Sequence, residues 1–215
     1  MQFNEWEPTY LEILKDMGYD RPSDEASARL LKVLMINSDL IDDDELGSLI
    51  GRTAAITGGA FDTNDIPNVD TLIATGSSIP RLLSLNVVPD IIVTDLDGDV
   101  EAQKKASALG SVTVIHAHGD NADAIMEHAR EFSGKVLMTT QSRPELTIYN
   151  FGGFTDGDRA VCMAEHFGAE KIILMGFDLK SPRSKDGSDP ETKLKKLKWA
   201  EKIISSFHNS NISYV

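Results

Sequence analysis

Between residues 53 and 178 the chain repeats one rhythm: a short apolar run, a turn of small or polar residues, then a stretch long enough for a helix. The runs are Thr53–Ile56, Leu72–Thr75, Ile91–Thr94, Val112–Ile115, Val136–Thr139 and Lys171–Met175. Apolar runs of this kind, unbroken by polar alternation, suit strands buried on both faces, as in a parallel sheet whose crossovers are helices. The intervening stretches predict helices over 99–109, 121–132, 157–167 and 190–207.

The expected fold is therefore α/β: a Rossmann-like, mostly parallel sheet flanked by helices, preceded by an N-terminal helical segment. In that segment Phe3, Trp6, Tyr10, Ile13, Leu14 and Met17 recur at helical spacing, and Gly18 is a natural stop. A second helix is expected from Ser23 or Asp24 toward Leu40. The acidic run Asp42–Glu45 reads as a solvated connection or as the negative start of a short helix through Ile50. This divides the chain into a helical segment, 1–50, and an α/β domain, 51–215. The apolar stripes of the first segment read as packing surface that caps the sheet or forms a homodimer contact.

Composition narrows the function. Asp and Glu outnumber Lys and Arg by 34 to 21, a formal charge of −13, so the surface as a whole repels a nucleic-acid backbone. No apolar stretch approaches the roughly 20 residues that span a bilayer, and the start, M-Q-F-N-E-W-E, lacks the basic and apolar regions of a signal peptide. The single cysteine, Cys162, offers no intrachain disulfide. The expectation is a cytoplasmic protein that engages neither membrane nor nucleic acid.

The turns carry the chemistry. If the strands are parallel, their C-terminal ends share one edge of the sheet and line one crevice. The third run leads into T-D-L-D-G-D, which places Asp95, Asp97 and Asp99 close together. Crowded carboxylates at such an edge are tolerable around a cation, and Mg²⁺ prefers a few carboxylates plus phosphate oxygens. A solvated acidic turn is the alternative. Gly58 and Gly59, and Gly76 with Ser77, form turns that let backbone N–H groups approach phosphates. His116 and His118 fall on one side of an extended segment ending at Asp120. They suit a transition metal, a phosphate or proton transfer. Asp120 or Asn121 can equally cap a helix. The loop N-F-G-G-F-T-D-G-D-R, 150–159, combines Asn150, Asp156, Asp158 and Arg159 with two phenylalanines. It suits a planar heterocycle beside a phosphate, with Thr155, Asp156 or Asp158 as candidate helix caps. Lys193 opens a run of lysines on the last helix, local positive charge that can steer a nucleoside triphosphate. The stretch Lys180–Pro190 before it reads as a loop.

V-T-D-L-D-G-D at 93–99, H-A-H-G-D-N at 116–121, T-T-Q at 139–141, N-F-G-G-F-T-D-G-D-R-A at 150–160, G-F-D-L at 176–179 and K-L-K-K-L at 193–197 occur in one order. In this the chain resembles the archaeal-type 6-hydroxymethyl-7,8-dihydropterin pyrophosphokinases, whose fold is similar to the catalytic domain of thiamine pyrophosphokinases. Two turns depart from the pattern. Many relatives carry G-x-G-P-S-L after the first strand, where this chain has T-G-G-A-F-D, and A-D-G after the second, where it has Ala74-Thr75-Gly76.

The resemblance implies Mg²⁺-dependent transfer of pyrophosphate from ATP to the pterin hydroxymethyl group, with AMP released, on the way to folate or tetrahydromethanopterin. It implies that Asp95, Asp97 and Asp99 hold the metal, with Asp95, Asp97, His116, His118 and Asp120 catalytic. Gly58, Gly59, Gly76, Ser77, Gln141, Asn150, Asp156, Asp158, Arg159 and Lys193 would then contact ATP or the pterin. Two other readings stay open: a thiamine pyrophosphokinase, and a non-catalytic nucleotide-binding protein of the same fold.

Overall fold

The computed structural model describes residues 1–180, 189–208 and 211–215. The predicted loop 180–190 therefore lies mostly outside the described residues. Among the described residues, eight parallel strands form one sheet: β1 (Thr53–Thr57), β2 (Thr71–Thr75), β3 (Ile91–Thr94), β4 (Val112–Ala117), β5 (Val136–Thr140), β6 (Ile148–Tyr149), β7 (Lys171–Met175) and β8 (Asn211–Tyr214). Their order is β6-β5-β4-β3-β2-β1-β7-β8. The chain walks outward from β1 to β6, then returns to the other side of β1 for β7, so the order reverses at the β1–β7 pair.

The helices are α1 (Phe3–Met17), α2 (Arg21–Leu34), α3 (Asp43–Ser48), α4 (Ile79–Ser84), α5 (Val100–Ala108), α6 (Ala122–His128), α7 (Asp156–His166) and α8 (Pro190–Ile204). Strand alternation sorts them onto two faces. Leu174, Ile56, Ile73, Ile91 and Val112 are register partners across five strands and bury one face against Val161 and Ala164 of α7. The opposite face meets α4 and α5 through Ala55, Ala74 and Ile92, and meets α2 and α6 through Ile115, Val136 and Met138. α1 packs outside α7 and α8, where Trp6, Tyr10 and Ile13 bury against Phe154, Cys162 and Ile203.

Most expected elements are present, and the differences have local causes. The second helix ends at Leu34, short of the expected Leu40. Asn37, Ser38 and Asp39 favour a turn, and Leu40 then runs extended beside Val136, whose N–H donates to the Asp39 carbonyl at 2.9 Å. The last helix closes at Ile204 rather than 207. Two strands and one helix are additional. β6 has only two residues, β8 alternates polar and apolar residues at an edge, and α4 is a six-residue helix with Pro80 in its first turn, where a missing N–H costs nothing.

Candidate active site

The C-terminal ends of the strands open into a cleft of about 720 Å³, roofed by Thr192, Lys193 and Lys196 of α8. The β3 turn is its floor. Thr94 accepts the Leu96 N–H on its side-chain oxygen at 2.9 Å, and Leu96 takes φ +67°, a conformation that costs a non-glycine residue energy. Gln103 of α5 braces the same turn: its amide donates to the Asp97 carbonyl at 2.8 Å, and its oxygen accepts the Thr94 hydroxyl at 2.8 Å. The turn presents Asp95 and Asp97, and the first turn of α7 adds Asp156. Ligand oxygens of these three lie within 4.8 Å of one another.

The β4 turn flanks this group. His118 Nε2 stands 3.4 Å from Asp95 Oδ2, while its Nδ1 accepts the Asp120 N–H at 3.3 Å. Asn121 ties the two turns together, donating to the Asp95 carbonyl at 2.9 Å and to the His116 carbonyl at 2.7 Å, and accepting the His118 N–H at 2.9 Å. Burial alone would raise the Asp95 carboxyl. The hydrogen bond with His118, and the charges of His118, Arg159 and Lys196, outweigh it and hold the group well below the usual carboxylate range. A quarter of the side chain is exposed, yet Oδ1 is buried with no hydrogen-bond partner among the described residues.

Arg159 fixes the other wall. Its Nη1 meets Asp156 at 3.1 Å and its Nη2 donates to the Phe154 carbonyl at 2.6 Å. The loop ahead of α7 passes so close to it that a Cβ on Gly153 would sit 2.5 Å from the Arg159 Cα. Fully buried Asp158 accepts the Phe154 N–H at 2.6 Å, the Thr155 N–H at 2.8 Å and the Thr155 hydroxyl. That is a capping box, and it anchors the loop to the helix.

Of the residues singled out in the sequence, Gly58, Gly59, Ser77, Asp95, Asp97 and His118 line the cleft, as do Asp120, Gln141, Asp156, Asp158, Arg159 and Lys193. Four others sit elsewhere in the fold. Asp99 caps α5, accepting the Ala102 N–H at 3.0 Å. Gly76 leaves room for Gln103 and Thr94, whose side chains a Cβ would approach to 2.7 and 2.8 Å. Asn150 braces its own loop, donating to the Ser142 carbonyl at 2.7 Å and accepting the Gly152 N–H at 2.8 Å. His116 is buried, with Nδ1 3.0 Å from the Thr139 hydroxyl. Burial, with the charges of Arg159 and His118, pushes its basicity well below the ordinary histidine value, so it stays neutral.

Two lining groups carry no mark in the sequence reading. Tyr19 arrives from the α1–α2 junction and stands 6.4 Å from the Phe154 ring, with the Lys196 ammonium 5.8 Å from the Tyr19 ring and 5.9 Å from that of Phe154. Phe177 wedges between the β1 turn and α7, where a Cβ on Gly58 or Gly157 would come within 2.9 or 2.7 Å of its ring. The G-F-D turn after β7 and the small residues Gly58 and Gly157 signal that wedge in hindsight. Nothing local marks Tyr19.

Fold and cleft together place the chain among open parallel α/β proteins whose ligand site lies at the carboxyl edge of the sheet. The family model for MptE-like 6-hydroxymethylpterin diphosphokinases matches residues 64–184, which include the β3 and β4 turns and the loop ahead of α7. A 6-hydroxymethyl-7,8-dihydropterin pyrophosphokinase of Pyrococcus furiosus is 39% identical over 98% of this chain and 96% of its own length. Proteins of the same description from Methanocaldococcus jannaschii and Methanothermobacter thermautotrophicus are 34% and 37% identical, over 95% and 83% of this chain and 95% and 79% of theirs. The chain belongs to the MptE-like 6-hydroxymethylpterin diphosphokinase family.

Proposed function

We propose that this protein transfers the pyrophosphoryl group of ATP to the hydroxymethyl group of 6-hydroxymethyl-7,8-dihydropterin, giving the pterin diphosphate and AMP. The observation that carries the reading is the convergence of Asp95, Asp97 and Asp156 in the cleft of a chain that belongs to this family. The donor set is all oxygen, and buried Asp95 Oδ1 has no partner among the described residues, which fits a hard divalent cation such as Mg²⁺. When bound there, Mg²⁺ supplies charge neutralisation for the triphosphate.

The protein's own residues do the rest. Lys193 and Lys196, which line the cleft from α8, offset phosphate charge. Gly58, Gly59 and Ser77 let the triphosphate approach the ends of β1 and β2. Tyr19 and Phe154 offer ring faces to the heterocycle, and Gln141 reads its polar edge. His118 and Arg159 hold Asp95 and Asp156 in their aim. The pterin hydroxyl oxygen bonds to the β-phosphorus and loses its proton. The bond from that phosphorus to the oxygen bridging to the α-phosphate breaks, and AMP departs with that oxygen. Among the described residues no helix is long and apolar enough to cross a membrane, and we place the reaction in the cytoplasm, where ATP is made available.

Substrate choice tests the reading. With Mg²⁺–ATP, the pterin and thiamine are offered separately under identical conditions. The expected result is a diphosphorylated pterin, identified by mass, and no thiamine diphosphate. Thiamine diphosphate alone would overturn the substrate and keep the chemistry, whereas nucleotide binding without either product would point to a non-catalytic role.

A further inference from the structure

Asp24 of α2 is 2% exposed and belongs to no cleft wall, yet its carboxylate reaches two cleft turns at once. Its Oδ2 accepts the Gln141 side-chain N–H at 2.9 Å and the Tyr10 hydroxyl at 2.7 Å. Its Oδ1 accepts the Gly119 N–H at 2.7 Å, between the lining residues His118 and Asp120. The Trp6 indole N–H adds a bond to the Gln141 carbonyl at 2.9 Å. Residues of α1 and α2 thus hold the turn after β5 through both its side chain and its backbone.

The chemistry of these contacts settles the amide's orientation. A carboxylate only accepts, so the nitrogen end of Gln141 must face Asp24. The oxygen end then faces the Arg159 guanidinium, 3.5 Å from Nη2, which only donates. The reversed amide would set oxygen against carboxylate and N–H against guanidinium. A buried carboxylate is costly to desolvate, and an apolar residue would pack the same position without that cost. Donors of three separate elements, α1 and the β4 and β5 turns, take up both of its oxygens.

We propose that Asp24 is a positioning residue for pterin recognition, acting through the side chain of Gln141, and that the N-terminal helices thereby form part of the active site. The inference rests on the proposed function in one respect, that Gln141 faces the pterin.

A double-mutant cycle tests it. In Asp24→Asn the amide introduced must set an N–H against at least one of the three donors. The expected result is a KM for the pterin about tenfold higher, with kcat and the KM for ATP within about twofold of the parent. In a Gln141→Ala background the same substitution should add no more than about twofold to the pterin KM, because the group it positions is gone. Tyr10→Phe, which removes a bond to Asp24 without touching Gln141, should lower the melting temperature and leave the pterin KM unchanged. If Asp24→Asn does not fold, Asp24→Glu keeps the charge, displaces the oxygens and should show the same coupling to Gln141. An unchanged pterin KM, or effects that multiply in full with Gln141→Ala, would overturn the inference while wild-type activity stands. Wild-type protein without pterin-dependent AMP release would overturn the functional reading, and this inference with it.

Discussion

His118 Nε2 lies 3.4 Å from Asp95 Oδ2, so the end of β4 steadies a carboxylate offered by the end of β3. The contact occupies one oxygen of Asp95 and leaves buried Oδ1 without a partner among the described residues. It also helps set the pH range in which Asp95 is ionised, because His118 is the leading influence that lowers the group against its burial.

The pH dependence of turnover follows. Asp95 is depressed in the folded protein, so it stays ionised below the usual carboxylate range, and the stability it contributes is fully present above that range and lost as the pH falls from there through the depressed value. Removing His118 removes the strongest lowering influence. In His118→Ala the acid limb of the kcat/KM profile should shift to higher pH, and acid unfolding should begin at higher pH. Rate profiles and circular dichroism from pH 3 to 8 would check both. An unmoved acid limb would contradict the assigned partnership.

Asp97 is exposed in the cleft and stands in the carboxylate cluster rather than in the core. Asp97→Ala should therefore fold with a nearly unchanged melting temperature and lose about 10²-fold or more in kcat, the scale at which electrostatic groups act in such reactions. Asp156→Ala should lose activity too, but with some stability, since it also releases Arg159. Steady-state kinetics beside thermal denaturation would separate the two. Near-normal turnover in Asp97→Ala would remove it from the site.

His116 predicts a stability effect at milder pH. Its basicity is depressed by burial, then by Arg159 and His118, so the unfolded chain binds a proton that the folded chain does not. Stability should fall as the pH drops below about 6.5, the ordinary histidine value. His166, depressed first by burial and then by the N-terminal ammonium, adds a contribution of the same sign. Melting temperatures between pH 8 and 5 should decline less steeply in His116→Gln than in the parent. Equal slopes would show that His116 is not held neutral.

Two glycines with positive φ should respond differently to alanine. Gly153 has φ +94°, and an added Cβ would strike the Arg159 backbone, with Cα at 2.5 Å and N at 2.6 Å. Gly153→Ala should cost about 3 kcal/mol or more and reduce activity, because strain and overpacking act together beside α7. Gly168 has φ +87° and open space around it, so Gly168→Ala should cost only about 1–2 kcal/mol and keep full activity. Urea unfolding of both variants would check the contrast.

The parallel sheet was legible because its central strands are buried on both faces, which leaves unbroken apolar runs such as Ile91-Ile92-Val93. The edges were not. Ile148–Tyr149 is too short to register as a run, and Asn211–Tyr214 follows the looser rules of a half-exposed edge. In the cleft, spacing alone could group Asp95, Asp97 and Asp99. It could not show that Leu96 would take φ +67°, that Asp99 would cap α5, or that Asp156 would arrive from α7 to complete the converging oxygens. Tyr19 and Asp24 were invisible for a different reason. Asp24 meets its cleft partners across 95 and 117 residues, and such contacts exist only once the N-terminal helices dock on the sheet.

AMP release from Mg²⁺–ATP, measured with and without 6-hydroxymethyl-7,8-dihydropterin, tests the proposed reaction most directly. AMP is expected only when the pterin is present, in step with pterin diphosphate, and is abolished when the divalent cation is chelated. AMP formed at the same rate without the pterin, or none formed by folded protein that binds both ligands, would contradict it.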